Sequence, residues 1–475
     1  MRSPLFKVLF AMAIGFCAMP SFAQNELKNK IVDFATLMPV ESASIYVQNT
    51  TIGTVSNADG KFVLLVPNEF AKDTLVISSI GYKSYKVPVG EFDNSMEIYL
   101  EEDIASLDEI LLVAETRPET GNEIVERALE KLGDNFPEEP YIQKGFLRHK
   151  ERNKKEFKWL IESAITLYDS SFTSEPGANL KINVDEMRKS YDLRDVDSLL
   201  AYTAYLKQEK KLRNLRARNL KRDTIATASL VKAIKWNDRR TNGLESLFQG
   251  KLNLLRNRDS NNALFGEDML ENHQFELDTI LVDNDRKIYK IKIDESTDFV
   301  NLETPGIYND GYVANGWIYI YWDNYAVKKI EYELVASSPQ QKSRSKTLFG
   351  TQVNHKLIMS FMEYNEKMYP SYIYYETPKL VNVGVKASSA KPENDEVEYD
   401  PNERYYYSVQ ELLFTEIIVD PEEVALEAQK EWNPDIFSVK PYNKEFWKNY
   451  NTLLESEEDE QLIQDLTKRS SLYKE

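Results

Sequence analysis

The feature that most constrains the fold is a run of short strand patterns between residues 27 and 100. Apolar and polar residues alternate in several of them, which is typical of strands that bury one face. Turn residues such as Pro39, Asp59-Gly60 and Gly81 separate the patterns. Many short strands with frequent turns predict a small β-sandwich. The predicted strands are Lys30–Asp33, Ala43–Gln48, Gly53–Val55, Lys61–Val66, Asp73–Ser78, Tyr82–Pro88 and Met96–Leu100.

One turn in this run, G-T-V-S-N-A-D-G-K-F at residues 53–62, has two interpretations. An EF-type calcium loop needs oxygen ligands at every second position and a bidentate glutamate about twelve residues in. Asn57 and Asp59 offer oxygens, but Lys61 stands where a further ligand is needed. We therefore predict a hairpin turn in which Gly60 takes a positive φ, and no metal site.

The same segment carries a family resemblance. The sequence T-L-M-P-V-E-S-A-S-I-Y-V-Q-N-T-T-I-G-T-V-S-N-A-D-G-K-F-V-L-L-V-P, followed by D-T-L-V-I-S-S-I-G-Y-K-S-Y-K-V-P-V, resembles the carboxypeptidase-regulatory-like domain of exported Bacteroidota proteins. Its motifs are P-x-x-x-A-x-(V/I), G-T-x-x-x-x-D-G-x-F and I-S-x-I-G-Y, and it extends from about residue 27 to 102. The resemblance implies a seven-stranded transthyretin-like sandwich that has no catalytic residues of its own.

The first residues predict export. Arg2 and Lys7 flank the start of a short apolar run that ends in Ser21-Phe22-Ala23, the pattern of a secretory signal peptide. A lipoprotein signal is the alternative, but the residue before Cys17 is phenylalanine, whereas lipid attachment needs a small residue there. Cleavage would leave a chain without cysteine and therefore without disulfide or thiol chemistry. We expect a protein of the periplasm, the outer membrane or the cell surface.

The charge balance argues against nucleic acid as a partner. The sequence has 59 basic and 77 acidic residues and a formal net charge of −18 at pH 7, and such a surface repels phosphate backbones. A basic stretch at 207–222 could make peripheral contact with anionic lipid headgroups or with an acidic partner. The alternative is a solvated helix face. Its basic residues are Lys207, Lys210, Lys211, Arg213, Arg216, Arg218, Lys221 and Arg222.

Beyond the sandwich the sequence predicts a fold that is mainly β with helical insertions (α+β). A large antiparallel sheet follows the sandwich, and it would be curved if it encloses a core. Asn122 is the predicted N-cap of a helix, and strands are predicted at Tyr141–Arg148 and Phe157–Tyr168. The predicted organisation is a signal peptide at 1–23, the sandwich at 24–102, a linker at 103–121, a helix-rich α/β region at 122–262, an antiparallel β meander at 263–420 with a polar loop at 386–404, and two C-terminal helices within 421–475.

The meander contains three predicted hairpins, with turns at 283–285, 323–324 and 365–366. Its I-Y-I-Y-W-D-N-Y-A-V-K-K-I-E-Y-E-L segment resembles the curved half-barrel of exported lipoprotein-carrier proteins. That resemblance implies a concave apolar face for an acyl chain within residues 275–420. The alternative is an ordinary core with cross-strand aromatic pairs. The aromatic residues that could line such a face are Trp317, Tyr319, Tyr321, Tyr325, Tyr372 and Tyr374.

Motifs of catalysis are absent from the sequence. It contains three histidines and neither a G-x-S-x-G elbow nor a phosphate-binding glycine loop. His273, Glu276 and His355 could form a zinc site of two histidines and one glutamate, and carboxylate pairs could serve a hydrolase. No pair is singled out, so we predict no catalytic, cofactor-binding or metal residues. The sequence favours a non-enzymatic envelope protein with a scaffold or binding role, whose partner is an envelope protein, a lipid or a glycan.

Overall fold

The computed structural model describes most of the chain, and the structural statements below concern the described residues. These are 24–103, 120–152, 157–173, 180–190, parts of 202–236, 273–294, 311–349, 352, 354–382, 403–436 and 440–467. The predicted signal peptide, most of the basic stretch and most of the loop at 386–404 lie outside them. The mainly β character predicted from the sequence is confirmed.

Residues 24–103 form two small sheets that share one core. The strands are β1 (Gln24–Asp33), β2 (Ser44–Val47), β3 (Gly53–Val55), β4 (Lys61–Pro67), β5 (Thr74–Ser78), β6 (Tyr85–Pro88) and β7 (Ile98–Leu100). Their orders are β4-β1-β7 and β3-β2-β5-β6. Ile31 and Phe62 from the first sheet meet Ile45 and Leu75 from the second, and all four are buried. The predicted strand positions agree closely, except that β1 begins at Gln24.

The turn at Asp59-Gly60 joins β3 to β4 as predicted. Gly60 has φ of 75°, a conformation that side chains with a Cβ rarely adopt. The Asn57 Oδ1 atom accepts hydrogen bonds from the backbone N–H groups of Asp59 and Lys61, at 3.0 and 2.9 Å. The side chain of Asn57 therefore closes the turn.

Replacing Gly60 by alanine is expected to lower the free energy of unfolding by about 2 kcal/mol. The new Cβ would lie 2.3 Å from the carbonyl oxygen of Ile31, in addition to the unfavourable φ. The matched control is Gly133→Ala, because the atom nearest its Cβ is the movable carboxylate end of Glu138. Urea denaturation followed by circular dichroism would compare the two. Equal midpoints for both variants would contradict the assignment.

Ten further strands form a single antiparallel sheet. They are β8 (Tyr141–Arg152), β9 (Phe157–Asp169), β10 (Leu180–Lys189), β11 (Gln274–Asp283), β12 (Arg286–Asp294), β13 (Tyr312–Tyr321), β14 (Val327–Ala336), β15 (Asn354–Tyr364), β16 (Lys367–Asn382) and β17 (Glu403–Ile418). The order is β10-β9-β8-β17-β16-β15-β14-β13-β12-β11. The β8–β17 pairing joins the strands of the predicted α/β region to those of the predicted meander. Local sequence patterns carry no information about a pairing over such a distance.

The three predicted hairpin turns are confirmed. Asn284 and Asp285 both have positive φ, and so do Asn365 and Glu366. This is the backbone twist that two-residue hairpin turns require. The turn after β13 carries Tyr325 with φ of 60°.

Six helices are described, and two predictions about helices were wrong. They are α1 (Gly121–Glu130), α2 (Leu132–Asn135), α3 (Pro339–Phe349), α4 (Pro421–Ala428), α5 (Lys444–Lys448) and α6 (Glu457–Thr467). The N-cap of α1 is Thr120, which forms a capping box with Glu123. Asn122 Oδ1 instead accepts a hydrogen bond from Phe275 N at 2.8 Å. Three helices, not two, follow the sheet, since local polar caps break the segment. Among the described residues, no helix has the length and apolar character needed to span a membrane.

Different elements pack against the two faces of the large sheet. The inner face bears the main core, and helices α1 and α2 pack on it through residues such as Ile124 of α1 and Leu132 of α2. Phe136, directly after α2, contacts Phe172 after β9 and Phe361 on β15. The outer face is covered in part by α5 and by the sandwich.

The sandwich is attached to the outer face at two places. At the β11–β12 turn, Gly81 N donates to Val282 O at 2.9 Å, and Ser84 Oγ donates to Asn284 Oδ1 at 2.7 Å. The second attachment is the C-terminal segment 449–459. There the amide of Asn451 both donates to Leu65 O and accepts from Leu65 N, at 3.0 and 2.7 Å. These contacts fix the sandwich as a structural part of the larger body.

Candidate functional site

The structure does not bring together the three residues of the zinc alternative, His273, Glu276 and His355. His273 and His355 are buried on the inner side of the sheet. His273 Nε2 lies 2.5 Å from the hydroxyl of Tyr332, and His355 Nδ1 lies 2.8 Å from that of Thr377. Glu276 is exposed and lies on the opposite face. Within the described ranges, no group of three or more His, Cys, Asp or Glu residues could hold a metal ion.

The predicted aromatic lining does not belong to the buried inner face. Strand register places Trp317, Tyr319 and Tyr321 on the outer face of β13, and it places Tyr372 and Tyr374 on the outer face of β16. Tyr319, Tyr321 and Tyr325 belong to the main core, and Trp317 packs against it. These positions agree with the alternative interpretation, an ordinary core. The aromatic residues of β13 alternate with isoleucines, and only the tertiary structure decides which set faces inward. The large aromatic side chains of the inner face include Tyr289, Tyr312, Tyr332, Phe361 and Tyr375.

The turn at residues 53–62, considered above as a calcium loop, has a structural role. Asn57 Nδ2 donates to the carbonyl oxygen of Glu455 at 2.8 Å. Asp59 Oδ2 accepts from the backbone N–H of Glu457 at 2.7 Å, and Lys61 forms an ion pair with the same glutamate. The turn that begins β4 therefore holds the C-terminal segment. Of the basic stretch, only Lys207, Lys210 and Lys221 are described, so its membrane contact stays a prediction.

The inner face of the sheet carries a row of apolar residues from edge to edge. Cross-strand register aligns one residue from each strand in this apolar row. Its members are Leu277, Ile291, Ile318, Ile330, Met359, Ile373, Leu412, Leu147, Ser163 and Met187. Nine of these ten side chains are apolar, so the row forms a continuous hydrophobic stripe.

Four residues along the strands from the apolar row, the inner face of the sheet becomes polar. Glu151, Ser408, Thr377 and His355 lie in register on the neighbouring strands β8, β17, β16 and β15. We call these four residues the polar row; each is at most 4% exposed. Burial of this kind is unusual for an acidic side chain and calls for hydrogen-bond partners. The polar row and the apolar row are separated by about 13 Å along the strands.

The row between them contains His149 on β8 and Gln410 on β17, paired directly across the two strands. Both atoms of the Gln410 amide are buried and make no hydrogen bond. The Nε2 atom of His355 and the hydroxyl of Ser163 are also buried without a hydrogen bond. Each such group costs about 1–3 kcal/mol when it is left unsatisfied. Sequence reasoning missed this site because S-V-Q-E in β17 places polar residues on both faces.

The outer face holds a buried network of ion pairs. Arg148 contacts Glu162 at 2.9 Å and Glu455 at 3.0 Å. Lys150 contacts Glu455 at 2.8 Å and Asp459 at 2.7 Å. Burial raises the pKa of Glu455, against the opposing effect of Arg148 and Lys150. The network ties β8 to the C-terminal segment, so we assign it a structural task.

The sequence comparisons concern the N-terminal part of the chain. Residues 28–112 match the family model of the CarboxypepD_reg-like domain. The TonB-dependent receptor SusC of Bacteroides thetaiotaomicron is 34% identical over 110 residues, which are 23% of this chain and 10% of that receptor. This chain thus matches about a tenth of the length of its curated relative.

Two solved structures were also found. A LolA superfamily protein from Nitrosomonas europaea aligns over 64% of this chain and 97% of its own, with a TM-score of 0.20 and 9% identity. A DUF1329 family protein from Desulfovibrio piger aligns over 63% and 92%, with a TM-score of 0.23 and 8% identity. Scores this low support no conclusion about fold or function. The family model and the receptor match agree on the N-terminal sandwich, and the resemblance drawn from its motifs is confirmed: this chain carries a carboxypeptidase-regulatory-like domain at residues 28–112.

Proposed function

We propose that this chain is a non-enzymatic binding protein of the bacterial cell envelope, whose ten-stranded sheet holds an amphiphilic ligand. The observation that carries the proposal is the unsatisfied amide of Gln410, buried between the apolar row and the polar row. The envelope location is supported by the predicted signal peptide at 1–23. It is also supported by the domain shared with a TonB-dependent receptor.

The arrangement of the inner face favours an amphiphile over a purely polar or purely apolar ligand. An acyl chain would lie along the apolar row, where burial of each methylene contributes about 0.8 kcal/mol. The free amide of Gln410 and the free Nε2 of His355 would then bind the polar end of the same molecule. The proposal is a version of the lipid-carrier hypothesis drawn from the sequence. It differs in that the ligand contacts the apolar row of the inner face, whereas the sequence-based hypothesis placed the ligand against the aromatic residues of β13 and β16.

The sandwich acts as a support in this proposal. Its hydrogen bonds to the β11–β12 turn and to the segment 449–459 hold it against the outer face. The ligand face is therefore on the opposite side of the sheet from the carboxypeptidase-regulatory-like domain. We propose no catalytic residue; His273 and His355 each lie beside a neutral hydroxyl and an aromatic ring.

The test is the substitution Gln410→Leu. Because leucine removes an unpaired buried amide, the variant is expected to gain about 1 kcal/mol in the free energy of unfolding. It is also expected to bind an amphiphile about tenfold more weakly, since hydrogen bonds to the polar end are lost. Native mass spectrometry of protein purified without detergent would detect a retained lipid. Titration with a fluorescent phosphatidylethanolamine would measure the affinity.

The matched control is Gln274→Leu, the same chemical change at an exposed position of β11. It should change neither the affinity nor the retained lipid. Binding by Gln410→Leu that equals the wild type would contradict the proposed site. Stoichiometric zinc that disappears in His273→Ala would instead favour the hydrolase alternative.

A further inference from the structure

A cavity of about 190 Å³ lies between the sandwich and the outer face of the large sheet. One wall is the sandwich, with Glu41 and the turn residues 55–58; the floor is the outer face of the sheet, with Lys356 and Tyr374 among its residues. The segment 453–456 closes a third side. At about 15 Å³ for each water position, the cavity has room for roughly a dozen waters. A dipeptide is about that size.

Most of the charges that line the cavity form ion pairs with one another. Three cations and four carboxylates border it. Lys150 pairs with Glu455 and Asp459, and Arg152 lies 3.5 Å from Asp459. Glu411 lies 3.4 Å from Lys150. Arg148 lies 3.5 Å from Glu411 and adds a third cation to these two cations and three carboxylates, so little net charge is left for a ligand to meet.

Two of the charged residues that line the cavity, Lys356 and Glu41, take no part in these ion pairs. Lys356 forms no hydrogen bond or ion pair with any residue that the structure describes. Its ammonium group lies 5.6 Å from the centroid of the Tyr374 ring. Glu376, which lies opposite Lys356 on β16, accepts a hydrogen bond from the hydroxyl of Tyr374. Glu41, on the sandwich wall, also has no hydrogen-bond or ion-pair partner in the described part of the chain. It lies close enough to the floor to raise the pKa of Tyr372, after burial and Glu411.

We infer that this cavity binds a small zwitterion of dipeptide size, independently of the amphiphile proposed for the inner face. The carboxylate of the ligand would pair with Lys356 on the sheet, and its ammonium group would pair with Glu41 on the sandwich. An anion alone would leave Glu41 unpaired, and a cation alone would leave Lys356 unpaired. The tyrosine rings of the floor would pack against the rest of the molecule.

The experiment is isothermal titration calorimetry on the full mature chain with three probes. These are L-alanyl-L-alanine, its N-acetyl derivative, which lacks the ammonium group, and its C-terminal amide, which lacks the carboxylate. The free dipeptide is expected to bind about tenfold more tightly than either blocked form, as expected for one charge-assisted pair. Absence of binding by the free dipeptide would overturn the inference.

Two variants assign each end of the ligand. In Lys356→Gln the dipeptide and its amide should bind equally, and in Glu41→Gln the dipeptide and its N-acetyl form should bind equally. Lys356→Arg should restore most of the preference for a free carboxylate. Lys28→Gln, an exposed lysine on β1 outside the cavity, is the matched control and should behave as the wild type. Circular dichroism confirms that each variant is folded, and variants that keep the wild-type preferences would overturn the inference.

Discussion

Replacing Arg148 by methionine is expected to lower the free energy of unfolding by about 3–5 kcal/mol, the largest effect of any single substitution considered. The Arg148 side chain is 3% exposed, and it lies within 3.5 Å of Glu162, Glu411 and Glu455. Methionine fills a similar volume but supplies no charge, so three carboxylates would lose a shared counter-ion. A buried carboxylate without a partner is far less stable than one in water.

Urea denaturation monitored by tryptophan fluorescence measures this loss. The matched control is Lys144→Met on the same strand, whose ion pair with Glu416 is exposed on both sides. An exposed pair contributes about 0–1 kcal/mol, so the control should unfold near the wild-type midpoint. Because Arg148 also donates to Leu453 O at 2.6 Å, the variant should release the C-terminal segment first. Faster proteolysis near residue 453 would report that release, and equal losses in both variants would contradict the buried network.

Acidification is expected to destabilise the protein through His355. Burial lowers the pKa of His355 from its ordinary value of 6.5 to about 3. Between these values the unfolded chain binds a proton that the folded chain does not bind. Stability from this group is therefore complete above about pH 6.5 and falls as the pH decreases toward 3, by about 1.4 kcal/mol per pH unit.

The variant His355→Gln isolates this effect. Glutamine can keep a hydrogen bond with Thr377 but cannot take up a proton, so its stability should depend less on pH. Between about pH 7.5 and about pH 5, the wild type should lose about 2 kcal/mol more than the variant. Urea denaturation at several pH values gives both slopes. Parallel slopes would show that His355 is protonated in the folded state.

The local structure of the chain could be predicted well from its sequence. Turns at Asp59-Gly60, 284–285 and 365–366 depend on residues that accept positive φ, and that preference is local. Strand positions follow from alternation, because the period of two is written in neighbouring residues. The N-cap of α1 was misplaced by two residues, since Thr120 and Asn122 are both good capping residues.

The candidate sites could not be predicted in the same way. Glu151, Ser408, Thr377 and His355 are far apart in sequence, and only the register of four strands aligns them. In the sequence of β8, Arg148 and Lys150 occupy polar positions that would be expected to face the solvent. They are buried because the segment 449–459 returns to cover them.

By itself, the sequence determined most strands, the hairpin turns and the family of the N-terminal domain. Those properties depend on periodicity, backbone preference and short motifs, all of which act over a few residues. The tertiary structure decided which face of each strand is buried and which charges are paired. It also decided where the sandwich rests on the sheet. These depend on pairing between distant segments, as in β8 with β17, where a shift of one residue would exchange the inner and outer faces.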